Sequence, residues 1–128
     1  MAELTIKKRP KNLDLASIRL PLAGKVSILH RVSGVGLFLC FPFMLWLFSA
    51  SLTSAETFAT FKSVFATLPA KVVIAGLIWA FIHHFCAGIR FLLLGMHIAV
   101  EKEPSRKSAA IVFAVSIPLT LIFWGILL

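Results

Sequence analysis

Two adjacent imidazoles, His83 and His84, lie inside an apolar run spanning residues 72–94 that is otherwise broken only by Arg90. Ionisable groups are costly inside a membrane-length segment, and they face a protein interior, a cofactor or a pathway. Imidazole is a strong ligand for haem iron; a buried neutral histidine that binds no metal needs hydrogen-bond partners at both ring nitrogens. His84 and Gly88 are four apart and share a helical face, where a glycine leaves room for a flat macrocycle or a close helix. His83, Arg90 and His97 recur every seven residues and form a separate stripe. That stripe could serve propionates, an ion pair or the aqueous boundary. From the residues alone, haem ligation and plain helix-to-helix bonding both stay open.

A second constellation precedes the first apolar run. Ser27 and Arg31 are four apart, His30 is three from Ser27, and Gly34 is three from Arg31. One helical face at the membrane boundary thus offers a hydroxyl, an imidazole and a guanidinium. Such a face could hydrogen-bond a quinone carbonyl or pair with an anionic carboxylate. The plainer alternative is interfacial anchoring, with the long basic side chains reaching for water. That alternative suits Lys25 best.

The elements that must position these groups are membrane helices. The chain has 128 residues, of which 59% are hydrophobic and only 14% charged. One soluble core of this size could not hide so much apolar surface. Residues 32–52 and 109–128 carry no charge at all. About 20 residues at 1.5 Å rise cross a hydrocarbon layer of roughly 30 Å. The expected fold is an all-α membrane protein: a basic arm over 1–20 and spans at about 22–52, 70–100 and 107–128, in a single membrane domain over 1–128.

Pro21 is expected to open the first span, and Pro42 and Pro118 to fall inside helices. The connection over 53–71 carries Phe58, Phe61 and Phe65 at helical spacing, which predicts a helix lying in the interface and ended by Pro69. Residues 101–108 read as a charged loop. Cys40 and Cys86 fall inside spans and read as small buried hydrophobes. No secretory signal peptide is evident, because the first residues lack an apolar core.

The formal net charge of +8 invites a nucleic-acid reading, but the charge sorts by loop. Lys7, Lys8, Arg9, Lys11, Arg19, Lys25 and Arg31 precede the first span, and Lys102, Arg106 and Lys107 fall between the second and third. Only Lys62 and Lys71 lie between the first and second. This asymmetry predicts a cytoplasmic N-terminus and an outer, periplasmic C-terminus. It also predicts contact with anionic lipid and not with nucleic acid.

Depth bears on who could share an iron. Counted from residue 26, His30 lies about 6 Å along its helix; counted from residue 100, His84 lies roughly 24 Å along its own. The two imidazoles are therefore expected at depths well over about 10 Å apart. A bis-histidine haem on His84 then needs a histidine from another chain. His30 would approach only the haem periphery.

These motifs resemble the cytochrome b large membrane-anchor subunit of bacterial succinate dehydrogenase, respiratory complex II. The resemblance rests on Arg9-Pro10-Lys11-Asn12-Leu13-Asp14-Leu15, on Ser27-x2-His30-Arg31-x-Ser33-Gly34 and on His84-x3-Gly88-Ile89-Arg90, joined by three-span spacing. It implies a subunit of an enzyme that passes electrons from succinate to ubiquinone, while this chain alone does not oxidise succinate. It also implies a bacterial inner-membrane location and three partners: a flavoprotein, an iron–sulfur protein and a second small anchor completing the helical bundle. Under the resemblance, His84 is one axial ligand of haem b and the second anchor supplies the other. Ser27 and Arg31 line the ubiquinone site, and His30 and Arg31 reach towards the haem propionates. Position matching, not periodicity, selects His84 over His83. The family pattern usually has a histidine after the second arginine; Phe91 stands there instead.

Two other readings fit the same spans. A fumarate reductase anchor would run the couple in reverse, and a haem-free structural membrane subunit would use its histidines for helix packing. A transporter fits poorly, since the spans carry no carboxylate.

Overall fold

The computed structural model describes residues 18–127, so residues 1–17 of the arm, including the 9–15 motif, lie outside the described residues. Four helices follow one another: α1 (Leu22–Ser51), α2 (Ala55–Phe65), α3 (Leu68–Gly95) and α4 (Lys102–Leu127). No strand occurs among the described residues. Helices α1, α3 and α4 are each long and apolar enough to cross a membrane. The chain is an all-α membrane protein of three spans.

The helix ends follow local chemistry. Pro21 stands at the N-cap of α1, one position before the first turn expected from sequence. Pro42 and Pro118 sit inside α1 and α4, as expected. A reciprocal cap opens α2: the Ser54 hydroxyl accepts from the Thr57 N–H at 3.1 Å, and the Thr57 hydroxyl accepts from the Ser54 N–H at 3.0 Å. Such paired caps satisfy donors that a helix start leaves open. Phe58, Phe61 and Phe65 then stack in sequence, with Phe61 and Phe65 only 4.1 Å apart. Pro69 lies in the first turn of α3, where its missing N–H costs nothing.

Two boundaries differ from the sequence expectation. The second span stops at Gly95, not near residue 100. The N–H of Ile98 reaches the Leu93 carbonyl and that of His97 the Leu94 carbonyl, both at 3.0 Å. This is a Schellman closure, and His97 takes its left-handed position at φ 61°. Glycine usually holds that position, and a histidine there does not announce a helix end. The segment 101–108 is not a loop either: α4 begins at Lys102. Arg90 holds its first turns by bonding Ser105 and Ser108.

Tight packing is confined to one region. Val26 of α1, Ala87 of α3, and Ala109 and Val112 of α4 form the buried core, with Phe91 and Phe113 against it. Alanines at these positions let helix backbones approach, as membrane helices require. Outside this region the helices present large apolar side chains outward; Phe38 is 76% exposed and Trp46 63%. Such a surface belongs against lipid or another chain. Cys40 and Cys86 are partly buried free thiols.

Candidate functional site

The close approach of α1 and α3 creates the site. Gly34 of α1 lies against the His84 ring so tightly that a Cβ there would stand 2.7 Å from the ring's Cε1. No side chain fits at that distance, so glycine is what brings the two helices together. On the facing side, a Cβ on Gly88 would lie 3.6 Å from Nε2 of His30. The space beside Gly88 is thus taken by an imidazole of α1.

His84 is held at one nitrogen only. Its Nδ1 lies 3.0 Å from the His30 carbonyl and 3.3 Å from the Ser33 hydroxyl. The Ser33 hydroxyl itself donates to that same carbonyl at 3.0 Å. A carbonyl can only accept, and the serine proton is already committed. Nδ1 must therefore carry the hydrogen, which leaves the lone pair on Nε2. A metal-binding histidine is prepared in this way, with a backbone carbonyl fixing the tautomer and ring direction. The donor set and ring orientation fit a haem iron, with Nε2 as the ligating atom.

The rings of His30 and His84 stack with centroids 4.1 Å apart and planes 8° from parallel. This overturns the expected separation in depth. Residues 26 and 100 are not the helix ends; α1 starts at Leu22 and α3 stops at Gly95. From those ends His30 lies about 12 Å along α1 and His84 about 16 Å along α3. The two imidazoles still cannot hold one iron between them, for a different reason. Imidazole lone pairs lie in the ring plane, and stacked parallel rings do not point them at each other. Phe91 closes the other side of His30 at 5.0 Å.

Ser27 and Arg31 lie on the neighbouring outer sector of α1. Arg31 donates from Nη2 to the Ser27 hydroxyl at 3.3 Å and from Nε to the Ser27 carbonyl at 3.4 Å. The bonds are long and Arg31 is exposed, so both polar groups stay available to a ligand. His30 turns inward to α3 while its neighbour Arg31 turns outward.

The stripe of His83, Arg90 and His97 meets a different end. His83 is fully buried, between Trp79 at 5.1 Å and Phe113 at 5.4 Å. No hydrogen bond of good geometry reaches either ring nitrogen among the described residues, although the Val26 backbone of α1 lies beside the ring. Arg90 bonds Ser105 and Ser108 through Nε and Nη2. His97 lies beyond the end of α3, exposed. The stripe is separate from the His84 face, as its spacing said, but it packs α3 against α4.

The succinate dehydrogenase/fumarate reductase transmembrane subunit model matches residues 5–123. The chain belongs to that family. Within the family it is similar to the succinate dehydrogenase cytochrome b556 subunit of Coxiella burnetii, at 36% identity over 85% of this chain and 88% of the relative. The subunit of the same name from Paracoccus denitrificans is 30% identical over 95% of this chain and 94% of its own length. That of Rickettsia felis is 26% identical over 91% of each. The family's matched region contains both the Ser27–Gly34 and the His84–Arg90 segments.

Ser33 and Gly34 belong to the Ser27–Gly34 motif, but spacing alone assigns neither a task. Their tasks depend on a partner 51 positions away, since Ser33 meets His84 across helices. A serine–glycine pair on the face that carries His30 was the available signal.

Proposed function

We propose that this family member is the cytochrome b membrane anchor of a bacterial succinate:ubiquinone oxidoreductase, holding haem b through Nε2 of His84 together with a second anchor subunit. The observation that carries this is the commitment of Nδ1 to the His30 carbonyl, which leaves Nε2 as the one nitrogen able to ligate. His83, sealed inside the chain, has no route to a group shared with another polypeptide. A second protein ligand to the iron would come from the second anchor, because His30 stacks on His84 and cannot share a metal with it. His30 and Arg31 serve the propionate side. When bound, the haem supplies a one-electron store beside the quinone site.

Ser27 and Arg31 form the acceptor end for ubiquinone. The serine hydroxyl holds a carbonyl oxygen of the quinone, and the guanidinium offsets negative charge as electrons arrive there. A flavoprotein and an iron–sulfur subunit carry out succinate oxidation, so this chain binds and orients without touching succinate. The arm and the 96–101 connection face the cytoplasm of an inner membrane, and the C-terminus faces the periplasm. The family also includes fumarate reductase anchors. The names of the three relatives favour succinate oxidation.

The test is to purify the chain with its partners and record the reduced-minus-oxidised spectrum and succinate:quinone activity on one sample. Expected are b-type bands and activity. Arg31→Ala should lower quinone reduction about tenfold or more while succinate oxidation by an artificial dye persists. A colourless, active complex would overturn the haem assignment. Equal loss of quinone and dye activity would overturn the acceptor role of Arg31.

A further inference from the structure

On the side of α3 turned away from His84, a groove of about 280 Å³ opens between α3 and α4. Its walls include Ile89, Leu93, Ile111 and Val115, all exposed on the surface of the chain. Arg90 and Ser108 supply the polar end. Arg90 is only 5% exposed, and its bonds all go to neutral serine groups: Nε to the Ser108 hydroxyl at 3.0 Å, and Nη2 to the Ser105 hydroxyl at 3.0 Å and carbonyl at 3.3 Å. Serine dipoles orient a guanidinium but do not neutralise it. Its third nitrogen, Nη1, has no partner among the described residues and is not sealed in. The Phe91 ring lies 5.4 Å from its Cζ, and neither the serines nor the ring supply a counter-charge to a guanidinium so little exposed.

We propose that this groove binds an anionic phospholipid, with an acyl chain against Ile89, Leu93, Ile111 and Val115 and the phosphate on Nη1 of Arg90. Charge and level both select that occupant. Arg90 lies about 8 Å along α3 from its end at Gly95, the headgroup region of a span. Exposed Lys102, Arg106 and Lys107 on the first turns of α4 add positive charge at the same end. Basic pockets between helices on the cytoplasmic side suit acidic lipid headgroups. At 100° per residue, Cys86, Ile89 and Leu93 point away from His84. A second anchor meeting His84 therefore leaves this side to lipid, a step that rests on the function proposed above.

The experiment is native mass spectrometry of the intact complex after exchange into equimolar phosphatidylglycerol and phosphatidylcholine. Phosphatidylglycerol should be retained about fivefold better, as expected for one basic residue at the surface. Arg90→Gln should remove most of the preference, leaving the weaker share of the exposed basic residues on α4, and Arg90→Lys should keep most of it. Leu93→Trp, which fills the apolar part of the groove and leaves the Arg90 charge in place, should reduce retention of both. No preference in the unaltered complex, or an unchanged preference in Arg90→Gln, would overturn the site. So would a cross-link from Ile111→p-benzoylphenylalanine to another protein chain, which would show a helix covering the groove. Haem content read on the same sample keeps the two proposals apart, because a colourless complex that still selects phosphatidylglycerol defeats only the reading at His84.

Discussion

The two sides of α3 carry neighbouring histidines with opposite fates. On the side facing α1, His84 is gripped at Nδ1 by a carbonyl and a hydroxyl while Nε2 is left open. On the side facing α4, His83 is more deeply buried and bonded at neither nitrogen. Burial alone therefore does not separate the two rings. What separates them is orientation: His84 is held through Nδ1 with Nε2 unspent. Trp79 and Phe113 make the His83 side a packing surface, where a polar ring fills space that an apolar ring could fill.

The sharpest way to break this comparison is to exchange the two positions' fortunes. His84→Ala should abolish the b-type spectrum of the purified complex, whereas His83→Phe should retain it. Retention in the first and loss in the second would show that the ligand is the sealed histidine. Gly34→Ala should come next. A methyl group 2.7 Å from the ring must displace His84 or part the helices, a strain of roughly 1–3 kcal/mol. Haem content under competitive extraction should fall, with protein yield much less affected.

Ser33→Ala removes one of two acceptors at Nδ1 and leaves the His30 carbonyl. Haem retention should drop less than about tenfold, the low end for outer-shell partners, with a measurable change in midpoint potential. The smallest effect is expected for His83→Phe on stability. A buried polar group without a partner costs about 1–3 kcal/mol, and the larger ring offsets part of the gain. The melting temperature of the complex should stay level or rise slightly; a fall of several degrees would mean that His83 has a bonding partner.

Much of this was legible in the sequence because the bilayer imposes a length and a polarity. The three spans, a short helix carrying Phe58, Phe61 and Phe65, and the separation of the His83–Arg90 stripe from the His84 face all followed from spacing. Helix ends did not, since the stop after Gly95 uses His97 in a backbone conformation its type does not advertise. That misplaced end carried into the depth of His84 and separated two rings that in fact stack. The segment 101–108 looked like a loop because its charges masked the two serines that Arg90 recruits. Choosing His84 over its neighbour needed family resemblance at the sequence level. In three dimensions the two rings differ in that only His84 finds an acceptor, which is what supports the proposal.

One bond has an evolutionary corollary. The carbonyl that fixes Nδ1 of His84 belongs to the backbone at His30, so no exchange of the side chain at position 30 can delete it. Drift at that position is buffered, and the histidine keeps its tautomer as long as the path of α1 is kept. The vulnerable spot moves to Gly34, where one added carbon can push that path aside.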